Sequence, residues 1–409
     1  FASHMEGAPK GNQPSPTRRN HHVDNSHKGG AFSSPTRRYG GMPSMDSMSS
    51  FEGGGMRMRN MKRSASSSSL QDCLEAHTEV DRMQLAAIRV VAGSSHPSLA
   101  KKLSDTLGVS LTKCICEKFS NTECRVEILE NVRKRNVFVV QTGGATRAGT
   151  INDHLMELLI LVDACRRSHA ASITVVMPCY PYARQDKKDR PRAPISGRLV
   201  ANMLETAGVT RVMVMDLHAA QIQGFFNIPV DNLYADQLIC NHLKQLGIYN
   251  TDQYVLVSPD SGGVKRLYNC AARLKLGAAI MHKQRDHTKS SKVDNTVLIG
   301  EEGCVRDKIA VIIDDMCDTM GTVVKASETL VENGAKAVMV AVTHGVLSGP
   351  AIQRINDCSH ISKVIVTNTL PQEDNMAKCP KIEVIDVGEL LGKAIRMYMT
   401  GGSISGLFS

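Results

Sequence analysis

The chain predicts an α/β fold: two similar domains with mainly parallel sheets. Three observations carry that expectation. Short runs rich in β-branched residues alternate with helix-period segments from about residue 87 onward, the pattern of sheets covered by helices. The polar clusters of chemical interest follow the ends of those runs, where open α/β sheets bind ligands. One strand–loop–helix unit also occurs twice, at 136–163 and 308–333.

Residues 87–91 read as the first strand, and Gly93-Ser94-Ser95-His96 as a loop. The strand at 136–141 runs into a Gly/Thr-rich loop at 142–150. A helical pattern through Leu155, Leu158, Leu159 and Val162 follows. Further strands are expected at 172–177, 211–215, 254–257, 278–281, 308–313, 337–342 and 363–366. After 308–313, Val323, Ala326, Leu330 and Val331 recur at helical spacing, and Asn333-Gly334 supplies a stop. The expected boundaries are a tail at 1–84, a first domain at 85–233 completed by 399–409, and a second domain at 234–398.

A chain of 409 residues suffices for about two to three domains. Residues 1–69 hold ten Lys/Arg against four Asp/Glu, +6 of the formal +9. The remainder is only mildly basic, so charge gives no argument for nucleic acid as a partner. The tail is rich in Gly, Ser, Met, Arg and His. It is expected to be disordered, because it cannot bury enough apolar surface to offset its ordering entropy. Twelve Cys lack metal-ligand spacing and read as reduced thiols. No apolar run reaches membrane-spanning length. A cytoplasmic protein is expected, with organelle import through the tail left open.

Residues 310–322 read Ala-Val-Ile-Ile-Asp-Asp-Met-Cys-Asp-Thr-Met-Gly-Thr. A buried strand, a Thr/Gly loop and a helix N-terminus make an anion site, because free N–H groups and the helix dipole favour phosphate. Asp314 and Asp315 stand where they can accept hydrogen bonds from a sugar diol. The same carboxylates would serve equally to cap a helix or face water. The dense run at 182–192, with Arg184, Lys187, Lys188, Arg190 and Arg192, suits a polyphosphate or a solvated face. His218 after one strand and Asp260 after another suit Mg²⁺, although a His ligand alone points to zinc. Lys283-Gln284-Arg285 is either a basic strand end in water or a pair of cations for phosphoryl transfer.

Taken in order, Phe119-Ser120-Asn121-Thr122-Glu123, the 184–189 loop, Asp216-Leu217-His218, Ser258-Pro259-Asp260, Lys283-Gln284-Arg285 and the 314–322 motif resemble class I ribose-phosphate pyrophosphokinases (phosphoribosyl pyrophosphate synthetases). The likeness runs from about residue 87 to 409. It implies two type I phosphoribosyltransferase-like domains. It also implies transfer of the pyrophosphoryl group of MgATP to ribose 5-phosphate, giving 5-phosphoribosyl 1-pyrophosphate and AMP for nucleotide biosynthesis. Phe119, Asn121 and Glu123 would read adenine from a neighbouring subunit, and Arg184, Gln185 and Asp189 would hold ATP. His218 and Asp260 would hold Mg²⁺, with Asp216 and Asp231 behind them. Lys283 and Arg285 would be catalytic. Arg285, Asp314, Asp318, Thr319, Met320, Gly321 and Thr322 would bind ribose 5-phosphate.

The resemblance further implies a homo-oligomer, a hexamer built from dimers, activated by inorganic phosphate and inhibited by ADP. Lys188, Arg192, Gln223, Ser403, Ser405 and Phe408 match that regulatory site. Loop 142–150 is longer than the family pattern, and its Arg147 stands where the pyrophosphate is expected. Two alternatives share parts of this pattern. A phosphoribosyltransferase would keep the 314–322 motif but needs neither the 184–189 loop nor paired modules. A non-catalytic regulatory subunit usually carries an insertion in the catalytic loop, and residues 187–192 are uninterrupted here.

Overall fold

The structure, a computed structural model, describes residues 83–285 and 294–407. Apart from Met83 and Gln84, the tail expected at 1–84 lies outside the described residues.

The first half contains β1 (Ile88–Ala92), α1 (Pro97–Leu107), β2 (Leu111–Thr112), β3 (Cys114–Lys118), β4 (Cys124–Ile128), β5 (Asn136–Val140), α2 (Ile151–Arg167), β6 (Ser172–Val176), α3 (Ser196–Ala207), β7 (Arg211–Met215) and β8 (Val230–Leu233). The second contains α4 (Asp236–Gln245), β9 (Tyr254–Ser258), α5 (Val264–Leu274), β10 (Gly277–Arg285), β11 (Asp294–Ile299), β12 (Ile309–Cys317), α6 (Gly321–Glu332), β13 (Ala337–Gly345), α7 (Ala351–Asp357), β14 (Ile361–Thr367), α8 (Glu373–Lys378), β15 (Ile382–Ile385) and α9 (Gly388–Thr400).

Among the described residues the first sheet is ordered β2-β1-β5-β6-β7-β8 and the second β11-β10-β9-β12-β13-β14-β15. Every pairing is parallel except the β10/β11 edge. Matching β1 to β9 and β5 to β12 superposes the two orders, so one topology occurs twice. Hairpin β3–β4 stands apart as a two-stranded antiparallel ribbon packed on α2.

Strand residues alternate between the two faces of a sheet, so a parallel strand covered on both sides is apolar throughout. Val137 and Val139 face a cluster with α2 and α3. Phe138 and Val140 face the other way, into a core shared with Val311 and Ile313 of the second sheet. Ala310 and Ile312 then point to a third cluster with α6 and α7. The shared core also receives Leu99 and Leu103 of α1, Ile239 of α4, Leu267 of α5 and Leu391 of α9. Helix α9 packs on α1, which returns the end of the chain to the first sheet's side.

Expected and observed strands differ at their ends. The strand expected at 308–313 continues to Cys317. The neighbouring β13 runs on to Gly345, and the ladder pairs Asp314 with Val342, Met316 with His344 and Cys317 with Gly345. Backbone hydrogen bonds continue where the apolar signal stops. The pattern also passed over β2, β3, β4, β8, β11 and β15, the short or edge strands. No helix among the described residues is long and apolar enough to cross a membrane.

Ile312 is 0% exposed on the central strand β12. Ile312→Ala is expected to cost about 2–5 kcal/mol of stability, read as a lower urea midpoint with an unchanged slope.

Candidate active site

Strand order reverses between β9 and β12 in the second sheet, and the crevice beyond such a point is where open α/β sheets take ligands. A cleft of about 960 Å³ lies there. The second sheet supplies Asp260 after β9, Asp314 and Asp315 on β12, and the loop before α6. The first sheet supplies His218 after β7, and Arg184 and Lys187 from the loop after β6.

The loop before α6 is built to leave amides open. Met320 sits in the left-handed region at φ 62°, with its side chain buried in the core below. Such a conformation costs a non-glycine residue about 1–2 kcal/mol, offset here by that burial. No side chain caps α6, and no acid occupies its first turn, so the orphan N–H groups remain for an external anion. The Arg354 guanidinium donates to the Thr319 carbonyl at 2.7 Å and lies beside Gly321. Asp318 pairs with Arg184 at 2.9 Å and accepts the Ser348 hydroxyl.

The equivalent position in the first half is filled by the protein itself. Thr150 and Asp153 form a reciprocal capping box at the start of α2, and Lys118 pairs with Asp153 at 2.8 Å. The Glu157 carboxylate accepts the Ser94 N–H at 2.7 Å and the Gln141 amide at 2.8 Å. A Cβ at Gly93 would strike that amide. The start of α2 is thus capped by its own Thr150 and Asp153, whereas no side chain caps the start of α6.

Acids crowd the floor of the open copy. Asp315 Oδ2 lies 2.7 Å from His218 Nδ1. Hydrogen bonding to Asp315 raises His218 above the usual imidazole value, against the effect of burial. Burial opposes ionisation of Asp315, but His218 holds its carboxyl below the usual range. Burial, and then the Asp315 charge, push Asp314 up to about 7. Asp260 is exposed in the cleft, with Oδ1 accepting the Gly262 N–H at 2.8 Å. A histidine whose Nδ1 is engaged by a carboxylate presents Nε2, the usual arrangement of a metal-bound imidazole. With Asp260 it offers a small donor set that phosphate oxygens and water would complete.

Of the expected site residues, Arg184, His218, Asp260, Asp314, Asp318, Thr319, Met320, Gly321 and Thr322 line this one cleft. Phe119, Asn121 and Glu123 do not. They form the tip of hairpin β3–β4, closed by the Phe119–Glu123 backbone bond, with the Phe119 ring 51% exposed. Gln185 accepts the Ser196 hydroxyl beside the cleft. Lys188, Asp189 and Arg192 are exposed outside the lining, as are Ser403 and Ser405, while Gln223 donates to the Ala220 carbonyl. Lys283 and Arg285 lie on β10, but their side chains, like all of Phe408, fall outside the described residues.

Two expectations need correction. Asp231 does not stand behind His218; it pairs with Arg211 at 2.7 Å, and Arg211 stacks on Tyr398. Arg147 is not in the cleft, because it pairs with Asp374 of α8. Sequence reasoning also passed over Arg266, Asp236 and Arg354. Arg266 did leave a signal. Lys265 and Arg266 put two cations in the first turn of α5, where the helix dipole favours acids.

A phosphoribosyltransferase-like fold in two copies, one open to an anion and flanked by acids, is the class these features define. Residues 88–208 match the N-terminal domain of ribose phosphate pyrophosphokinase, and residues 296–409 the phosphoribosyl synthetase-associated domain. Ribose-phosphate pyrophosphokinase 2 of Schizosaccharomyces pombe is 51% identical over 323 residues, 79% of this chain and 98% of that relative. The crystal structure of phosphoribosylpyrophosphate synthetase from Mycobacterium smegmatis aligns with a TM-score of 0.69 at 40% identity, covering 77% of this chain and 99% of that one. The chain belongs to the ribose-phosphate pyrophosphokinase family.

The His218–Asp315 pair sets a pH window. His218 is raised, so its contribution to stability is full below 6.5 and fades as pH climbs through its folded value. Asp315 is lowered, so its contribution is present above 3.8 and fades as pH falls through its folded value. In metal-free protein, the His218 ring resonances are expected to titrate above 6.5. In Asp315→Asn they should titrate lower than in the wild type, because the largest raising cause is gone while burial remains. Identical midpoints in the two proteins would refute the pairing.

Proposed function

We propose that this chain is a catalytically active ribose-phosphate pyrophosphokinase. It transfers the β,γ-pyrophosphoryl group of ATP to the C1 hydroxyl of ribose 5-phosphate, giving 5-phosphoribosyl 1-pyrophosphate and AMP. The observation that carries this reading is the uncapped helix N-terminus at α6, facing the Arg184 loop across the cleft. The 5-phosphate would rest on the amides of Gly321 and Thr322 and on the hydroxyls of Thr319 and Thr322. Asp314, whose carboxyl is pushed up by burial and by the neighbouring Asp315 charge, stands beside that loop and would bind the ribose hydroxyls.

ATP would lie along Arg184, Gln185 and Asp189, with Lys187 near its phosphates. The reaction needs no covalent nucleophile. The C1 hydroxyl oxygen attacks the β-phosphorus and releases its proton to solvent, the bond from the β-phosphorus to the bridging α-phosphate oxygen breaks, and AMP leaves with that oxygen. Positioning and charge neutralisation suffice for such a step. Lys283 and Arg285 would stabilise the charge that develops on the transferring group. His218 Nε2 and Asp260 would hold Mg²⁺, which when bound neutralises phosphate charge and orients the chain of phosphates.

Phe119, Asn121 and Glu123 sit on a hairpin outside their own cleft, which suits adenine binding in a neighbouring subunit and hence a homo-oligomer, a hexamer in our reading. Inorganic phosphate is the proposed activator at a subunit boundary near Lys188, Arg192, Gln223, Ser403, Ser405 and Phe408.

The test is a product assay with ribose 5-phosphate, MgATP and inorganic phosphate that separates AMP from ADP. AMP formed in step with 5-phosphoribosyl 1-pyrophosphate is expected. ADP would mean ordinary kinase chemistry, and ATP binding without turnover would mean a regulatory subunit. Lys283→Ala should keep ATP binding and lose most turnover, and a near-normal kcat would remove its assigned role. Thr322→Val should raise KM for ribose 5-phosphate about 10–100-fold, the worth of a hydrogen bond to a charged group, with little change in KM for ATP.

A further inference from the structure

One guanidinium touches both walls of the cleft. Arg266, in the first turn of α5, keeps 15% side-chain exposure. Its Nη2 donates to Asp216 Oδ1 at 3.1 Å, and its Nη1 donates to Thr343 Oγ1 at 3.1 Å and to the Asp314 carbonyl at 3.3 Å. Asp236, at the start of α4, lies 3.8 Å away. Asp216 belongs to the first sheet, while Asp314 and Thr343 belong to the second.

These partners bracket the reacting region. Asp216 precedes His218 by two residues, and Asp314 adjoins Asp315 and accepts its N–H at 2.8 Å. The atoms that Arg266 grips therefore flank the His218–Asp315 contact from both sides. Asp216 is held on every side. Its side chain is wholly buried, and Oδ2 accepts the Ala235 N–H at 3.0 Å and the Thr343 hydroxyl at 2.6 Å. It also adopts a φ of 39°, sparsely populated for any non-glycine residue.

We propose that Arg266 is a positioning residue for pyrophosphoryl transfer: its fork sets the distance between the wall that carries His218 and the wall that carries Asp260, Asp314 and Asp315. This rests on the function proposed above. Arg266 acts through these side chains. Two prongs are required, because a lysine supplies one point charge and cannot hold the Asp216 carboxylate and the Asp314 carbonyl in one plane.

The test compares steady-state kinetics of the full chain with Arg266→Lys, Thr343→Val and Arg211→Lys. Thr343→Val removes one hydroxyl from the fork without removing a charge. Arg211→Lys disturbs another largely buried ion pair at the opposite end of β7. Arg266→Lys is expected to lower kcat about 100-fold, the cost of misplacing reacting groups by about 1 Å. Thr343→Val should lower kcat roughly 3–10-fold, as for one hydrogen bond. In both, KM for ATP stays near the wild-type value, and Arg211→Lys keeps wild-type kcat.

Wild-type kcat in Arg266→Lys, or an equal fall in Arg211→Lys, would overturn the assignment. So would a Thr343→Val enzyme with unchanged kcat, even if Arg266→Lys fails to fold, because the network would then be structural only. A wild-type chain that makes no AMP would instead bring down the function itself.

Discussion

The cleft depends on one buried ion pair, Asp216 with Arg266. Neither charge is well solvated, so their attraction must offset a desolvation penalty of several kcal/mol per ion. It does so because further hydrogen bonds fix both carboxylate oxygens of Asp216. Thr343 and the Ala235 amide complete Asp216. His344 adds a second tie, its Nε2 donating towards the Met215 and Asp216 carbonyls at 3.0 and 3.2 Å, with Thr369 on Nδ1. These bonds join the outgoing ends of β7 and β13, one from each sheet. The apolar core between the sheets holds them together without direction; this polar seam supplies the direction.

Repetition of one topology produces a molecule whose halves do different work. The difference lies in a few side chains at the start of α2 and α6. In the first half, Thr150 and Asp153 cap each other's backbone donors and turn a ligand position into structure. In the second, Met320 offers no capping atom and the donors stay open. The closed copy still contributes, because Thr142 donates to the Thr369 carbonyl at 2.6 Å and His96 Nε2 contacts the Asn368 carbonyl at 2.8 Å. It braces the open copy instead of duplicating it.

Much of this could be read along the chain, and the rest could not for identifiable reasons. Parallel strands buried on both faces announce themselves as apolar runs, so β5, β6, β7, β9, β12 and β13 were legible. The short and edge strands are brief runs or are interrupted by polar residues, as at Asp231 and Asn232 of β8, and were not. The 318–322 loop was legible because strand, loop and helix are contiguous. The His218–Asp315 and Arg184–Asp318 pairs join residues 97 and 134 positions apart, and no local pattern reports them. Asp231 shows how a near miss arises. Successive strand residues face opposite ways; Asn232 reaches the Leu217 N–H at 3.2 Å, while Asp231 turns to Arg211. The stretch was right and the face was wrong.

The Arg184–Asp318 bridge has a consequence for an empty cleft. Arg184 belongs to the loop read as the nucleotide's, and Asp318 to the loop read as the sugar phosphate's. While they hold each other, the arginine's charge is partly spent on the protein, and the carboxylate beside the open amides is screened. On the proposed function, an incoming polyphosphate that draws Arg184 away would expose Asp318, and an incoming sugar phosphate that displaces Asp318 would free Arg184. Each substrate would then change the electrostatic field that greets the other. Thermodynamic linkage would make that influence equal in both directions, so two binding events in separate loops would share one free-energy coupling through an ion pair at the rim.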